Sequence, residues 1–274
     1  MPQPIEILAI GATLSGALYQ PPTAPKAAIV LHGATGVPAH YYRHFAAWLT
    51  TQGYACLTYD YRDFGASATG HPKRAKASML DWGAKDQPAA QAALKAHLPN
   101  VPLWVIGHSL GGFMLPFQPH AAHISRVITV ASGASYVGDH PWPYRAMALM
   151  FWYGPGPLAT KLLGYLPGKA LGLGHNLPPQ VYWQWRRWCT SKTFFDTDPN
   201  MPPLQAPYTG PLKIIAMEDD VMMPPKSVWK IERFYPGAHT SRQCIKPQDY
   251  GLKRIGHIEV FSPRNAALWP DIIK

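Results

Sequence analysis

The chain alternates short apolar runs with amphipathic or alanine-rich stretches, a pattern typical of a parallel sheet held between two helix layers. The apolar runs predict strands at residues 5–10, 15–19, 27–31, 56–59, 103–106, 124–130, 212–217 and 240–245. The first two form an antiparallel pair in this interpretation. Residues 39–52 and 79–97 predict helices, the first ended by Gly53 and the second kinked or divided at Pro88. The pattern therefore predicts an α/β fold with a mostly parallel sheet.

This alternation breaks over residues 132–209, which are rich in proline and tryptophan. Helices are predicted here at residues 144–153, 159–166 and 180–189. We expect an α/β core made of residues 1–131 and 210–274, with residues 132–209 inserted as a cap or lid. Trp152 and Trp183 are candidates to line an apolar substrate pocket under it. The alternative is a small aromatic core that only holds the insertion together.

The most informative motif is G-H-S-L-G at residues 107–111, directly after an apolar run. In the G-x-S-x-G pattern the serine occupies a sharp, strained turn between a strand and a helix, so that its hydroxyl is exposed. The flanking glycines leave space that a Cβ atom would occupy. Residues 110–116 are expected to begin the helix. The motif predicts Ser109 as a nucleophile, and a tight turn without chemistry is the alternative.

A second glycine-rich turn, H-G-A-T-G at residues 32–36, also follows an apolar run. In serine hydrolases a loop after the third strand supplies a backbone N–H, which forms the oxyanion hole with the N–H after the nucleophile. The predicted donors are the backbone amides of Ala34 and Leu110. We expect the His32 side chain to brace the loop away from substrate, and His108 to pack near the serine.

With these motifs, the chain resembles the α/β-hydrolase superfamily over nearly its whole length. It is most similar to bacterial serine hydrolases grouped near lipases and serine aminopeptidases. Residues 55–67, A-C-L-T-Y-D-Y-R-D-F-G-A-S, resemble the D-x-R-G-x-G-x-S segment of many members, with Asp63 where glycine is more usual. The resemblance implies the α/β-hydrolase fold, with a mostly parallel central sheet flanked by helices and an inserted helical cap.

The superfamily order of catalytic groups is serine, then an acid, then histidine. The segment E-D-D-V-M-M-P-P follows the strand predicted at 212–217. Its D-x-x-x-P spacing selects Asp220 as the acid, and Asp219 is the alternative because a slip of one residue exchanges the two. His257, beyond the last predicted strand, is the expected base, with His239 at the strand entry as its rival. These groups imply a Ser-His-Asp triad and an acyl-enzyme.

Cofactors and metals are not predicted. The histidines do not fall in H-E-x-x-H spacing, and the chain has no C-x-x-C pair, G-x-G-x-x-G motif or P-loop. The three cysteines are few and odd in number, which argues against a disulfide framework. Cys56 and Cys244 fall on predicted strands, where we expect buried thiols. The first residues carry neither a basic region nor a long apolar stretch, so we expect no signal peptide or membrane span, and a cytoplasmic location.

The formal net charge is +10, from 25 Lys and Arg against 15 Asp and Glu. The cations are scattered, and only K-R-A-K at residues 73–76 forms a cluster. Because no nucleic-acid-binding motif accompanies them, a nucleic-acid partner is not predicted. The expected partner is a small ester or acyl substrate. The sequence carries no signal for an oligomeric state.

The function favoured by the sequence is hydrolysis of a carboxylic ester with a small or medium acyl group. Amide, thioester or peptide hydrolysis and acyl transfer use the same groups and remain alternatives, as does a non-catalytic ligand-binding protein. Dehalogenase and epoxide-hydrolase chemistry is disfavoured because those relatives place an aspartate where this chain has Ser109.

Overall fold

The computed structural model of the chain describes residues 2–119, 121–205 and 208–274. The described strands are β1 (Gln3–Ala9), β2 (Ala12–Tyr19), β3 (Ala28–His32), β4 (Ala55–Tyr59), β5 (Leu103–His108), β6 (Ile124–Val130), β7 (Pro211–Met217) and β8 (His239–Ile245). They form one sheet in the order β1-β2-β4-β3-β5-β6-β7-β8. The strand β2 runs antiparallel to β1 and β4, and the pairs from β4 to β8 are parallel. The predicted mostly parallel sheet is therefore confirmed.

The described α-helices are α1 (Arg43–Thr51), α2 (Met79–Asp81), α3 (Gln87–His97), α4 (Tyr144–Tyr153), α5 (Pro155–Leu163), α6 (Pro179–Thr190), α7 (Pro225–Trp229) and α8 (Trp269–Ile273). Helices α4, α5 and α6 lie in the long connection between β6 and β7. We call residues 132–209 of this connection the inserted segment.

The central strands are mostly apolar because both faces of the sheet are covered by helices. On β3, Val30 packs into one hydrophobic layer, whereas Ile29 and Leu31 pack into the other. This division follows from the alternation of side chains along a strand. Every residue of β3 and β4 is buried.

The strand order reverses direction between the neighbours β3 and β5. After β3 the chain adds β4 on one side of β3, and the later strands β5 to β8 follow on the other side. In open α/β sheets, ligands bind beyond the carboxyl ends of the strands at such a point. The turn at residues 33–36 follows β3 and Ser109 follows β5. Both predicted motifs therefore lie at this crevice.

Three local expectations are corrected. Residues 110–116 do not form an α-helix but two short 3₁₀ turns, Ser109–Gly112 and Leu115–Phe117. Two adjacent glycines and a proline in this stretch disfavour a regular helix. The stretch 79–97 is divided by a π-helical turn, Trp82–Asp86, so Pro88 falls in the first turn of α3, where a missing N–H costs little.

The third correction concerns Cys244, which is exposed rather than buried. It lies on β8, an edge strand whose only neighbour in the described sheet is β7.

Asp63, the residue that departs from the family pattern, has φ of 58°. Aspartate tolerates this left-handed conformation better than most residues, and its carboxylate accepts hydrogen bonds from the amides of Lys76 and Ala77.

Candidate active site

Ser109, His257 and Asp220 meet at the carboxyl edge of the sheet. Ser109 follows β5, Asp220 follows β7, and His257 lies in the loop after β8. The Ser109 Oγ lies 3.0 Å from His257 Nε2, and His257 Nδ1 lies 2.7 Å from Asp220 Oδ2. An ionised carboxylate accepts only, so Nδ1 carries the hydrogen and Nε2 is free to accept from the serine hydroxyl. The three side chains predicted from sequence are thus joined by hydrogen bonds.

The turn that presents Ser109 is strained, with φ of 53° at the serine. A Cβ atom on Gly107 would lie 2.3 Å from the Cα of Gly112, and one on Gly111 would lie 2.0 Å from the carbonyl oxygen of His32. Both positions therefore require glycine. The Ser132 hydroxyl donates to the Ser109 carbonyl oxygen at 2.6 Å, and this hydrogen bond also stabilises the turn.

Asp220 is buried, and burial alone would raise its pKa. The positive charge and the hydrogen bond of His257 act in the opposite direction and lower it. Its second oxygen, Oδ1, accepts from the amides of Met222 at 2.8 Å and Met223 at 2.9 Å, which lowers the pKa further. The pKa of Asp220 therefore lies below its usual value, and the group stays ionised beside His257.

The neighbouring Asp219 has a different set of contacts. Its carboxylate accepts hydrogen bonds from the backbone amides of Ile255 at 2.9 Å and Gly256 at 3.0 Å. These residues directly precede His257, so Asp219 fixes the loop that carries the imidazole. The structure thus places Asp220, and not Asp219, against the histidine.

His239 begins β8, where it pairs with Pro211 at the start of β7. The amino ends of parallel strands lie at the edge of the sheet opposite to Ser109. His239 is also exposed. The rival base is therefore remote from the serine.

The backbone N–H of Ala34, one of the two predicted oxyanion donors, is occupied by another hydrogen bond. Its N–H donates to the hydroxyl of Tyr42 at 2.9 Å and so already has a partner. The structure therefore does not agree with Ala34 as a free donor. Leu110 directly follows Ser109 in the 3₁₀ turn, as the prediction requires, and its role as an oxyanion donor stays a prediction.

A buried chain of hydrogen bonds continues from this contact. The Tyr42 hydroxyl lies 2.8 Å from His108 Nδ1, and His108 Nε2 lies 2.9 Å from the carbonyl oxygen of His257. A carbonyl can only accept, so Nε2 carries the hydrogen and Nδ1 accepts from Tyr42. Burial is the main cause that lowers the pKa of His108 to about 3, and the ring is therefore neutral.

His32 has the bracing position expected for it. Its side chain is fully buried, with Nδ1 2.7 Å from the Tyr59 hydroxyl and Nε2 3.1 Å from the amide nitrogen of Gln91. Burial lowers its pKa to about 3. Tyr61 donates to the Gly33 carbonyl at 3.0 Å and holds the same turn.

A cavity of about 440 Å³ lies over Ser109 and His257. Its wall is mostly apolar and aromatic, and the described residues that line it include no Asp, Glu, Lys or Arg. Among the lining residues are Tyr144, Ala148, Trp152, Trp185, Met222 and Met223. Such a chamber accepts an uncharged, lipophilic group beside the serine hydroxyl.

The structure places only one of the two predicted pocket tryptophans here. Trp152 lines the cavity, whereas Trp183 lies at a separate small polar cleft beside Ser78. On α6 the cavity-facing residues are Trp185 and Cys189, one turn apart. Trp183 precedes Trp185 by two residues, about 200° around the helix, and so faces the other side. The prediction for Trp183 is corrected in this way.

Sequence reasoning missed several residues of the cavity. Met222 and Met223 lie two and three residues after Asp220, and this proximity in the sequence was the available signal for them. His140 lines the cavity as well, and its Nδ1 has no hydrogen-bond partner among the described residues. No motif marked it.

The inserted segment also contacts the turn after β3. The amide of His175 donates to the carbonyl oxygen of Gly36 at 2.9 Å. A Cβ on Gly174 would lie 2.5 Å from that oxygen, and one on Gly36 would lie 3.0 Å from the Leu173 carbonyl. Glycine at both positions allows this close approach, which we call the Gly36–His175 contact.

The described part of the chain contains no group of three ligating side chains suited to a metal ion. Within the same ranges, none of the helices has both the length and the apolar character needed to cross a membrane.

Comparisons with known proteins agree with this architecture. Residues 23–156 match the family model described as serine aminopeptidase, S33. The quorum-quenching protein AidA of Acinetobacter baumannii (strain MDR-ZJ06) is 28% identical over 249 residues, which cover 83% of this chain and 70% of AidA. These two matches support a hydrolase and confirm the resemblance stated from sequence.

Solved structures resemble the whole chain. A soluble variant of monoglyceride lipase from Saccharomyces cerevisiae, in complex with a substrate analogue, aligns with a TM-score of 0.64 at 16% identity, covering 100% of this chain and 94% of the lipase. The esterase Pf2001 of Pyrococcus furiosus aligns with a TM-score of 0.62 at 15% identity, covering 99% and 88%. At such identities the likeness concerns the fold, and it confirms the predicted one.

The neutral His108 gives a prediction for stability. In the unfolded chain a histidine binds a proton near pH 6.5, whereas folded His108 does so only near pH 3. The unfolded state therefore binds more protons between these values, and stability falls as the pH drops through this window. In His108→Gln the free energy of unfolding should depend on pH less steeply, by roughly 1 kcal/mol per pH unit between about pH 6 and 4.

Urea denaturation of both proteins across this pH range measures the difference. Parallel stability curves for the wild type and the variant would show that His108 takes up its proton in the folded state as readily as in the unfolded one.

Proposed function

We propose that the chain, which has the α/β-hydrolase fold, hydrolyses carboxylic esters with a small or medium acyl group through Ser109, His257 and Asp220. The observation that carries this proposal is the continuous hydrogen-bonded series from the serine hydroxyl to the buried carboxylate. We further propose that residues 132–209 act as a cap that forms much of the acyl cavity.

In the proposed reaction, Ser109 Oγ attacks the acyl carbon while His257 Nε2 takes the serine proton. Asp220 holds the imidazole in its tautomer and stabilises the imidazolium that forms. The backbone N–H of Leu110 donates to the oxyanion of the tetrahedral intermediate.

The intermediate then collapses to an acyl-enzyme, and His257 returns its proton to the leaving alcohol. Water next attacks the acyl carbon and gives its proton to His257. The second intermediate releases the carboxylic acid and restores the serine hydroxyl.

The cavity favours esters over peptides with a free amino terminus. An α-ammonium group requires a carboxylate partner when it is buried, and none lines the described cavity wall. The esterase and lipase names of the structural relatives agree with this preference. Amide or thioester hydrolysis and acyl transfer by the same triad remain the alternative, since the triad serves them equally.

A fluorophosphonate probe tests the nucleophile. We expect the wild type to be labelled and Ser109→Ala to be unlabelled, because the probe reacts only with an activated hydroxyl. Ser135→Ala is the matched control, since Ser135 lines the same cavity but donates to the Met222 carbonyl. Wild type that resists the probe would favour the non-catalytic ligand-binding alternative.

The two aspartates can be separated by substitution. Asp220→Asn should lower kcat for p-nitrophenyl butyrate by about 10⁴-fold, because the amide no longer selects the active tautomer. Asp219→Asn should lower it far less, by about tenfold, since its amide oxygen still accepts one loop N–H. A larger loss for Asp219→Asn would transfer the role of triad acid to that residue.

The cavity predicts a limit on acyl length. Ala148 is buried on α4 and lines the cavity, so Ala148→Leu fills part of it. We expect kcat/KM for p-nitrophenyl octanoate to fall at least about tenfold, with butyrate little affected, because buried methylenes of the longer chain lose their space. Ala146→Leu, exposed on the same helix, is the control. An equal effect on both esters would place the acyl chain elsewhere.

A further inference from the structure

Helices α4 and α5 carry an exposed apolar surface on the outside of the inserted segment. They join at Gly154 and contact each other. Trp142, just before α4, is 68% exposed, and Leu162 on α5 is 74% exposed. We define the α4–α5 face by the exposed side chains of Trp142, Met147, Met150, Tyr153, Leu158 and Leu162.

Residue spacing places one pair of these side chains on the same side of α4 and another pair on the same side of α5. Met147 and Met150 are three residues apart, and Leu158 and Leu162 are four apart. Monomeric proteins rarely expose several large apolar side chains close together without a binding partner. The α4–α5 face therefore favours an apolar occupant.

The charge on these two helices has one sign. Residues 144–163, which form α4 and α5, contain no Asp or Glu, but they include Arg145 and Lys161. Lys161 is exposed between Leu158 and Leu162 on α5. At the junction of the two helices, the Arg186 guanidinium lies 5.1 Å from the centre of the Tyr153 ring. An apolar face flanked by cations complements a surface that offers acyl chains below anionic headgroups.

The same face is continuous with the proposed active site. Met147 and Met150 are exposed on α4 and also line the cavity that contains Ser109. A lipophilic molecule leaving a lipid surface at α4 would thus meet apolar side chains from the outside of the protein to the serine.

We propose that the α4–α5 face docks on anionic lipid surfaces and admits lipophilic esters from them to the cavity. Docking itself goes beyond the proposed function, whereas the delivery of substrate rests on it. The helices lie on the surface in this arrangement and do not cross it.

A second copy of the chain fits this face less well. In a two-fold symmetric dimer the same patch meets itself, so Lys161 and Arg186 of the two copies would come close to one another. Residues 144–163, which form the two helices, contain no carboxylate to pair with them. An anionic surface relieves this repulsion, and another copy does not.

The experiment measures binding of the full chain to sedimented vesicles. One set contains equal parts of phosphatidylglycerol and phosphatidylcholine, and the other contains phosphatidylcholine alone. We expect binding to the anionic vesicles that weakens when NaCl is raised to about 0.5 M. L158Q/L162Q should lower the partition coefficient at least about tenfold, because two leucines no longer enter the lipid.

L8Q/I10Q is the matched control. Leu8 and Ile10 are 80% and 79% exposed at the β1–β2 hairpin, outside the inserted segment. This variant should bind vesicles as the wild type does. Thermal unfolding of each variant verifies that the exposed substitutions leave the fold intact.

Three results would overturn the proposal: no binding to the anionic vesicles, equal losses in both double variants, or equal binding to neutral vesicles. Self-association of the wild type that L158Q/L162Q abolishes would also overturn it, in favour of a second copy. Ser109→Ala should bind as the wild type does. Since the vesicle assay needs no turnover, its failure is distinguishable from failure of the proposed esterase activity.

Discussion

The geometry of the candidate active site depends on one buried series of hydrogen bonds centred on His108. Its ring joins the Tyr42 hydroxyl to the carbonyl of His257, and Tyr42 in turn holds the amide of Ala34. His108 directly precedes Ser109, so the same residue fixes the end of β5. The neutral imidazole of His108 therefore connects three segments that are distant in sequence, those that contain Ala34, Tyr42 and His257. An unpaired buried partner costs about 1–3 kcal/mol, which keeps the series closed.

Two adjacent carboxylates divide the remaining work. Asp220 is bound to the His257 ring, whereas Asp219 is bound to the backbone just before it. One acts on the charge and tautomer of the imidazole, and the other on its position. Within the described structure, the carboxylate of Asp220 is the only charged group that directly contacts the His257 ring. The cavity above the ring is apolar, so the charge next to the imidazole comes from below the cavity and not from its wall.

The sequence predicted those features that local chemistry determines. Buried parallel strands appear as apolar runs, and the glycines around Ser109 follow from contacts under 2.5 Å that any Cβ would make. Trp183 was wrongly assigned to the pocket, because a cluster of tryptophans on a helix does not tell which ring faces inward. The link from Tyr42 to His108 joins residues 66 positions apart and has no local pattern. The predicted cytoplasmic location stays a prediction for a similar reason, since no local signal specifies it.

The Gly36–His175 contact has a consequence for how substrate could enter. The carbonyl of Gly36 belongs to the same short turn as Ala34, so a shift of the insertion at His175 pulls directly on the backbone beside the reaction centre. The positions of the inserted segment at His175 and of the turn at residues 33–36 are thereby coupled through one backbone hydrogen bond. A change in the length of residues 132–209 is thus tolerated only where it preserves this close approach and the other contacts of the segment with the core, such as the hydrogen bond from the Leu80 amide to the Gln184 side chain.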